Sequence, residues 1–392
     1  MTIRSSPRRR PIARRRHLVE VAARAFSDGG YHAVRLDDIA ETAGVSAPAL
    51  YRHFPNKYAL FAEATATLAT RLAAATAAVE ADEPRTELRA LLSAIAATAI
   101  ENRRTGGLYR WESRYLTGPD AEHVRTVVIA QHRRLRSTIM RCRTELERTD
   151  ADLLAAAMTS VVASPATHRV SLPPREVQTL LCDAAMSLLE PDLAQTGNGP
   201  PASIPGLAPA AKRELILSQS IDLFAARGFH DVTIDDIGQA AGIPPSGVYR
   251  HFPSKAAILE AAFWRASDRT AASVADALAT SHTPPDAVGE MVRRYVALCC
   301  SASELITVYL SETGHLKAST RTALSRRQRL TVEEWATWLG RARPELSATH
   351  ARFLVHALLA VAADLVRITP LPDPARIEAI GRRILLGADF SR

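Results

Sequence analysis

Two copies of one eight-residue segment stand 198 residues apart, and this duplication constrains the fold more than any other feature of the sequence. Residues 50–57 read Leu-Tyr-Arg-His-Phe-Pro-Asn-Lys and residues 248–255 read Val-Tyr-Arg-His-Phe-Pro-Ser-Lys. The same offset relates 26–59 to 224–257, with 16 identities in 34 positions and no gap. Stacked repeats have periods of ~20–50 residues, so this spacing indicates a duplicated domain. The function is expected to lie in the duplicated part.

The composition predicts a helical protein. Ala, Leu and Arg are abundant, aromatic residues make up 5% of the chain, and apolar residues recur at three- and four-residue steps, as in Leu18, Ala22 and Phe26. This periodicity is typical of amphipathic helices, and no segment reads as a confident strand. We therefore predict an all-α fold, with room in 392 residues for two or three domains.

Positive charge is concentrated at the N-terminal end of the chain. The net charge is +8, and residues 1–60 hold 11 Lys and Arg against 5 Asp and Glu, whereas the equivalent window 199–258 holds 5 against 5. Such a local excess favours a polyanion as partner, although a solvated basic tail is an alternative. The arginines at 8–10 and 14–16 resemble arms that follow phosphates or enter the minor groove of DNA.

Several classes of protein do not fit the sequence. Four cysteines without a CxxC pair predict neither a disulfide framework nor a zinc site, and they favour a reducing cytoplasm. The GxSxG, HExxH, P-loop and Rossmann glycine patterns are missing, so we predict no enzyme and no cofactor. The most apolar stretch near the end, 353–368, contains His356, Asp364 and Arg367, so we predict no membrane span.

Residues 36–54 have the pattern of a helix-turn-helix. Ile39 and Ala43 are four residues apart on a short helix, Gly44 permits a tight turn, and Ser46 is placed to cap the next helix. In such a unit the second helix enters the major groove of duplex DNA. Its first residues are small, so its N-terminus can approach bases and phosphates. The candidate DNA-binding residues of this copy are Arg35, Ser46, Ala47, Pro48, Tyr51, Arg52, His53 and Lys57.

The second copy differs from the first where its short helices begin. Thr233 and Asp236 have the spacing of a capping box. In the first copy Arg35 replaces the threonine, so the cap is lost and the Arg35 side chain can contact a phosphate instead. The candidate DNA-binding residues here are Thr233, Pro244, Pro245, Ser246, Tyr249, Arg250, His251 and Lys255. The two prolines offer no donor to a base, so a copy that contacts only the DNA backbone is an alternative.

Both copies, 36–57 and 234–255, resemble the DNA-binding head of TetR/AcrR-family transcriptional regulators. The resemblance implies that Phe54 and Phe252 support the recognition helices and that 46–48 and 244–246 face the bases. It assigns backbone contacts to Tyr51, His53, Lys57, Tyr249, His251 and Lys255. A helical body for ligand binding and dimerisation is implied behind each head.

We therefore predict two TetR-like units in one chain. The predicted segments are a disordered basic arm at 1–11, a first head at 12–70, a first body at 71–195, a linker at 196–209, a second head at 210–268 and a second body at 269–392. The linker contains three Gly and four Pro. Since family members usually act as two-fold dimers, we expect a pseudo-dimer within one chain, its bodies paired through the last two helices of each. Dimerisation of whole chains is an alternative.

The resemblance implies a cytoplasmic, sequence-specific regulator of transcription, a repressor by the family's default. Its expected partner is double-stranded DNA, read as an imperfect palindrome whose half-sites lie about one turn, ~34–36 Å, apart. Aromatic residues beside polar groups predict a pocket for an unknown effector, by weak analogy a lipid or an acyl-thioester. The candidates are Trp111, Tyr115, Tyr309, Glu312 and His315, for each of which ordinary packing is an alternative. The alternative function is a ligand-binding or protein-interaction module whose heads have lost DNA binding.

Overall fold

The computed structural model describes residues 9–106, 108, 112–190, 207, 209–368 and 371–387, and the regular secondary structure within these ranges is entirely helical. The first half of the described chain contains α1 (Arg9–Gly29), α2 (Leu36–Thr42), α3 (Ala47–Tyr51), α4 (Lys57–Ala77), α5 (Pro84–Glu101), α6 (Gly118–Cys142), α7 (Arg148–Ala163) and α8 (Pro174–Met186). Short 3-10 helices lie at Glu112–Tyr115, Ser164–Thr167 and Ser187–Leu189.

The second half repeats this order. It contains α9 (Lys212–Arg227), α10 (Ile234–Ala240), α11 (Pro245–Tyr249), α12 (Lys255–Thr280), α13 (Pro284–Ser301), α14 (Ser303–Ser311), α15 (Ala318–Ala342), α16 (Ala348–Leu365) and α17 (Pro374–Leu386), with a 3-10 helix at Thr313–His315. The fold is therefore all-α and duplicated, as the sequence predicted.

The predicted segment boundaries differ from the helices in two respects. α1 begins at Arg9, inside the predicted arm, because Pro11 lies in the first helical turn, where a missing N–H breaks no hydrogen bond. α4 and α12 continue through the predicted head–body boundaries at 70/71 and 268/269, so one continuous helix joins each head to its body. Residues 1–8 of the arm and most of the linker lie outside the described residues.

The offset between the two halves changes from 198 residues in the heads to 200 in the bodies. α2 and α10 begin 198 positions apart, whereas α5 and α13 begin at Pro84 and Pro284 and α8 and α17 at Pro174 and Pro374. The two additional residues belong to the segment that contains α12, which has 26 residues against 21 in α4. Equivalent body positions must therefore be compared at an offset of 200.

Each head has its own apolar core, and the two cores are alike. The first head buries Leu18, Phe26, Ile39, Leu50, Phe54 and Phe61. The second buries Ile216, Phe224, Ile237, Val248, Phe252 and Phe263. Full burial of one such side chain stabilises a domain by about 1.5–3 kcal/mol. In both heads the short helices are therefore fixed by packing against a core of buried side chains.

The two bodies share one core, in which α7 and α8 of the first half pack against α16 and α17 of the second. Polar contacts cross the same interface: the Ser160 hydroxyl donates to the Asp364 carboxylate at 2.6 Å, and Arg376 forms an ion pair with Asp150. This is the arrangement expected for a four-helix bundle of the last two helices of each body.

α16 is the one helix of the described residues that is long and apolar enough to cross a membrane, and 61% of that window is buried inside the protein. Its apolar length reflects its position at the centre of the shared core, where it contacts α7, α8, α15 and α17.

Candidate nucleic-acid interface

In the first head, α3 lies at the surface and packs on a core of buried side chains. Leu50 and Phe54 have no exposed surface, whereas Tyr51, between them in sequence, is 51% exposed. Ser46, Pro48 and Arg52 are also exposed, and Ala47 and His53 are partly exposed. The residues predicted to face DNA thus lie on the outside of the short helix, and the residues predicted to support it lie inside.

The second head presents α11 in the same way. Val248 and Phe252 are buried and Tyr249 is 54% exposed. The exposed set also includes Pro244, Pro245, Ser246, Arg250 and His251. Pro244 is the N-cap residue and Pro245 the first helical residue, positions that tolerate proline because their N–H groups have no helical partner.

A glycine in the left-handed region makes the turn of each helix-turn-helix. Gly44 has φ +66° and Gly242 has φ +63°. The backbone then returns to the first short helix: the N–H of Val45 donates to the Ala40 carbonyl, and that of Ile243 to the Gly238 carbonyl, both at 2.9 Å. Any other residue at the turn would be strained.

The helix caps confirm one prediction and correct another. In the second head the Thr233 hydroxyl accepts from the N–H of Asp236 at 3.1 Å, and the Asp236 carboxylate accepts from the N–H of Thr233 at 2.8 Å. Arg35 makes no capping bond and its side chain is 75% exposed, as predicted. Ser46 makes no side-chain cap, contrary to prediction, and only its backbone carbonyl accepts bonds from the helix, from the N–H groups of Ala49 and Leu50.

Lys57 and Lys255, predicted to contact DNA, instead bind backbone inside each head. The Lys57 ammonium donates to the carbonyl of His32 at 3.0 Å. The Lys255 ammonium donates to three carbonyls, those of Phe229, His230 and Val232, at 2.7, 3.2 and 2.5 Å. Three bonds use all the donors of a lysine, and partial burial lowers the pKa of both lysines. These residues tie the loop after the first helix of each head to the start of α4 or α12.

One arginine of the predicted basic arm also has a structural place. The Arg15 guanidinium lies 4.2 Å from the centroid of the Phe54 ring and donates to the carbonyl of His53 at 2.5 Å. Arg213, its equivalent at the 198-residue offset, lies 4.0 Å from the ring of Phe252 and donates to the carbonyl of His251 at 2.8 Å. Arg14 and Arg16 are exposed. The equivalence of Arg15 and Arg213 in the repeat was the signal that the sequence analysis missed.

The candidate effector-binding residues do not form one site. Tyr309 and His356 line a cavity of about 110 Å³ in the second body, together with Tyr295 and with Thr167 of the first half. Glu312, His315 and Tyr115 lie instead where the heads meet the bodies: the ring of Tyr115 contacts that of His32, the ring of His315 contacts that of Phe229, and Glu312 lies next to Gly228. Trp111 lies outside the described residues. The described candidates are therefore divided between the cavity of the second body and the contacts between heads and bodies.

The cavity is lined by uncharged groups. Burial raises the pKa of Tyr295 and of Tyr309 and lowers the pKa of His356 to about 4, so all three are neutral near pH 7. Across the described ranges, His, Cys, Asp and Glu side chains form no cluster suited to a metal ion, and the four cysteines are free thiols.

Both heads match the family of bacterial regulatory proteins known as the tetR family, at residues 18–64 and 216–262. The HTH-type transcriptional activator FasR of Mycolicibacterium smegmatis is 50% identical over 48 residues, which are 12% of this chain and 22% of FasR. The HTH-type transcriptional regulator BetI of Agrobacterium fabrum is 31% identical over 129 residues, which are 32% of this chain and 62% of BetI.

The matched segments therefore span less than two thirds of these relatives' own lengths. Among solved structures, a TetR-family transcriptional regulator from Bordetella parapertussis 12822 is 20% identical, with a TM-score of 0.42, covering 46% of this chain and 96% of that chain.

Proposed function

The chain belongs to the tetR family of bacterial regulatory proteins and carries that family's DNA-binding head twice; from this premise we propose that one chain takes the place of a dimer and represses transcription from an imperfect palindrome. Two observations support the proposal. The recognition helices α3 and α11 both lie at the surface, each packed on a core of buried side chains, and the two bodies pack against each other within the chain. The exposed residues within 46–53 and within 244–251 are then available to successive major grooves.

The asymmetry of the operator follows from the difference between the recognition helices. Ser46 supplies a hydroxyl at the first position of one head, and Pro244 supplies no donor at the equivalent position of the other. Direct readout depends on donors and acceptors matched to base edges. The two half-sites are therefore expected to differ in sequence.

Footprinting on the DNA beside the gene tests this function. We expect one footprint of two half-sites, and sedimentation of the complex is expected to show one chain per operator. Operators symmetrised to either half-site should bind with unequal affinity. Equal affinity for both symmetrised operators, or two chains per site, would contradict the proposal.

The cavity in the second body is the proposed effector site. Its lining is uncharged and mostly apolar, and burying a charge there would carry a large desolvation cost, so the effector is expected to be uncharged where it is buried. The cavity is smaller than the ~150 Å³ engineered cavity that accepts benzene. A lipid or acyl-thioester would therefore have to widen it. Ala363→Leu, which adds atoms at the lining, should make DNA binding insensitive to the effector without weakening it.

The alternative is a binding module in which one or both heads do not recognise DNA sequence. The prolines at 244 and 245 and the neutral charge of the second head favour this alternative for that head alone. Binding that is indifferent to operator sequence would support it. We propose that the protein is a repressor in the cytoplasm, although the relative FasR is named an activator. A reporter assay in a strain that lacks the gene distinguishes repression from activation. If the protein is a repressor, expression of the reporter should rise.

A further inference from the structure

The two heads meet where the loops after α1 and α9 come together. His32 and His230, one from each loop, stack with ring centroids 4.0 Å apart and an interplanar angle of 12°. They are equivalent positions at the 198-residue offset, so the contact lies where a two-fold relation between the halves would place it. We call the surrounding group the interhead junction, and it consists of His32, Arg114, Tyr115, His230, Glu312 and His315.

Each head approaches the body of the opposite half at this junction. A Cβ added to Gly314 of the second body would lie 2.7 Å from the carbonyl oxygen of Gly29 in the first head, an impossible contact. A Cβ added to Gly228 of the second head would lie 3.4 Å from the Tyr115 hydroxyl of the first body. The first contact joins two backbones and needs glycine, and the second places the Gly228 backbone against a side chain of the other half. The position of each head is therefore set partly by the other half.

An ion pair between the halves lies at the centre of the junction. The Arg114 guanidinium is 2.8 Å from the Glu312 carboxylate, which has no exposed surface. Arg114 also donates to the Ser311 hydroxyl at 3.2 Å and to the Tyr115 hydroxyl at 2.8 Å. A buried carboxylate that loses its cation is strongly disfavoured, so the pair resists separation of the halves.

Two histidines of the junction, His32 and His315, do not supply a second cation near neutral pH. Burial, followed by Arg114, lowers the pKa of His315 to about 4, and burial, followed by His230, lowers the pKa of His32 to about 4. His315 lies 3.5 Å from the other oxygen of Glu312. Arg114 is thus the cation in direct contact with Glu312, and Lys255 adds an electrostatic attraction without an ion-pair contact.

A short path connects the junction to both recognition helices. Lys57 donates to the carbonyl of His32 and Lys255 to that of His230. These lysines are the first residues of α4 and α12, which follow α3 and α11 after five residues. A displacement at the junction is therefore transmitted to the reading surface of both heads.

We propose that the interhead junction sets the distance between the two heads, and that Arg114 and Glu312 are positioning residues that determine which half-site spacing the chain accepts. The proposal rests on the proposed binding of DNA by both heads. Arg114 and Glu312 do not belong to the exposed faces of α3 and α11. They act through the loops after α1 and α9, where the two heads contact each other.

Glu312→Gln tests the proposal, because it keeps the shape of the side chain and removes its charge. Binding is measured on the footprinted operator and on versions with one or two base pairs added to or removed from the spacer. The original chain should lose about tenfold in affinity or more for each such change, since misplaced half-sites forfeit their contacts. The variant should lose about threefold or less, while its affinity for the original spacing falls by less than about tenfold.

Two further variants separate positioning from folding. Arg114→Lys keeps the charge without the planar guanidinium and should give an intermediate loss of spacing preference. Arg89→Gln removes a surface ion pair with Asp183, at 2.7 Å, that lies within the first body, and should leave the spacing preference unchanged. Spacing selectivity in Glu312→Gln and Arg114→Lys equal to that of the original chain overturns the proposal.

A measurement without DNA distinguishes failure of this proposal from failure of the proposed function. Fluorophores on non-natural amino acids at positions 46 and 246 report the distance between the heads. The original chain should show one narrow distribution, and Glu312→Gln a broader one. Equal distributions refute the junction's role even if operator binding is confirmed. A broadened distribution, together with no operator binding by the unlabelled chain, supports the junction and refutes the DNA-binding function.

Discussion

The two heads have the same interior and different surfaces. Phe54 and Phe252 are both buried, and Arg15 and Arg213 hold the ends of α3 and α11 through the same cation–π contact and carbonyl bond. Outside, Ser46 is replaced by Pro244 at the same position. The two heads therefore share the residues that hold the recognition helix in place and differ in the residues on its exposed surface. This is expected if the two heads bind different half-sites.

The heads are also attached to their bodies differently. The Tyr58 hydroxyl of the first head donates to the Asp120 carboxylate at 3.0 Å, whereas the position equivalent to Tyr58 is Ala256. In the second half the Thr320 hydroxyl of the body donates to the Glu260 carboxylate of the head at 3.0 Å. The two heads thus differ both in the surface that faces DNA and in the contacts that each makes with its own body.

The largest expected effect tests the equality of the two interiors. Phe54→Ala and Phe252→Ala should each cost about 3–5 kcal/mol of unfolding free energy, because each removes a buried ring from a packed core. Chemical denaturation followed by circular dichroism measures this, with Val128→Ala, at an exposed site on α6, as the control. A loss at one head less than half that at the other would contradict equal interiors.

The next effect concerns the exposed arginines. Arg52→Ala should weaken operator binding by about 1–3 kcal/mol, and Arg250→Ala by about 1 kcal/mol, since the second head lies in a neutral segment. Gel shifts at fixed salt measure both, and Arg89→Ala in the first body is the matched loss of one positive charge. No effect of Arg250→Ala would show that the second head does not contribute, and would favour the alternative function for that head.

Local features of this fold were predictable from the sequence. The capping box of Thr233 and Asp236 involves residues three apart, and the turn at Gly44 depends on one residue's backbone, so neighbouring residues suffice to identify both. The repeat then extended the glycine turn, but not the capping box, to the other half. Helix order was predictable for the same reason, whereas the pairing of α7 and α8 with α16 and α17 was expected only because the resembled family forms two-fold dimers.

Contacts between segments distant in sequence were not predictable. Lys57 reaches a carbonyl 25 residues away, and Arg114 reaches a carboxylate in the other half of the chain. A long basic side chain looks the same in sequence whether it faces DNA or a buried carbonyl. The change of offset to 200 residues further obscured which positions of the two bodies are equivalent.

A smaller effect comes from exchanging the caps of α2 and α10. Thr233→Ala should cost about 0.5–2 kcal/mol, and Arg35→Thr, which places a threonine three residues before Asp38, should stabilise the first head by a similar amount. Hydrogen exchange of the α2 and α10 amides measures each change locally.

The pH dependence of the same exchange identifies the carboxylate. Hydrogen bonds from Arg227 and Thr233 hold the pKa of Asp236 below its usual value of 3.8. Its contribution is therefore complete above about pH 4 and is lost as pH falls further. Thr233→Ala should weaken this acid dependence in α10 and leave α2 unchanged. An unaltered acid dependence would show that the box does not act through Asp236.

The smallest expected effect is on the salt dependence of DNA binding, and it separates internal lysines from DNA-facing arginines. A lysine that contacts a phosphate contributes about 0.9 to the slope of log affinity against log salt. Because the ammonium groups of Lys57 and Lys255 bind loop carbonyls, Lys57→Met and Lys255→Met should leave that slope unchanged within about 0.3. Both should lower thermal stability, Lys255→Met more, since it forfeits three hydrogen bonds rather than one. Arg52→Ala, measured in parallel, should flatten the slope if Arg52 contacts a phosphate. A slope reduced by about one unit in Lys57→Met would return this lysine to the DNA surface, and the comparison would then extend to the lysines as well.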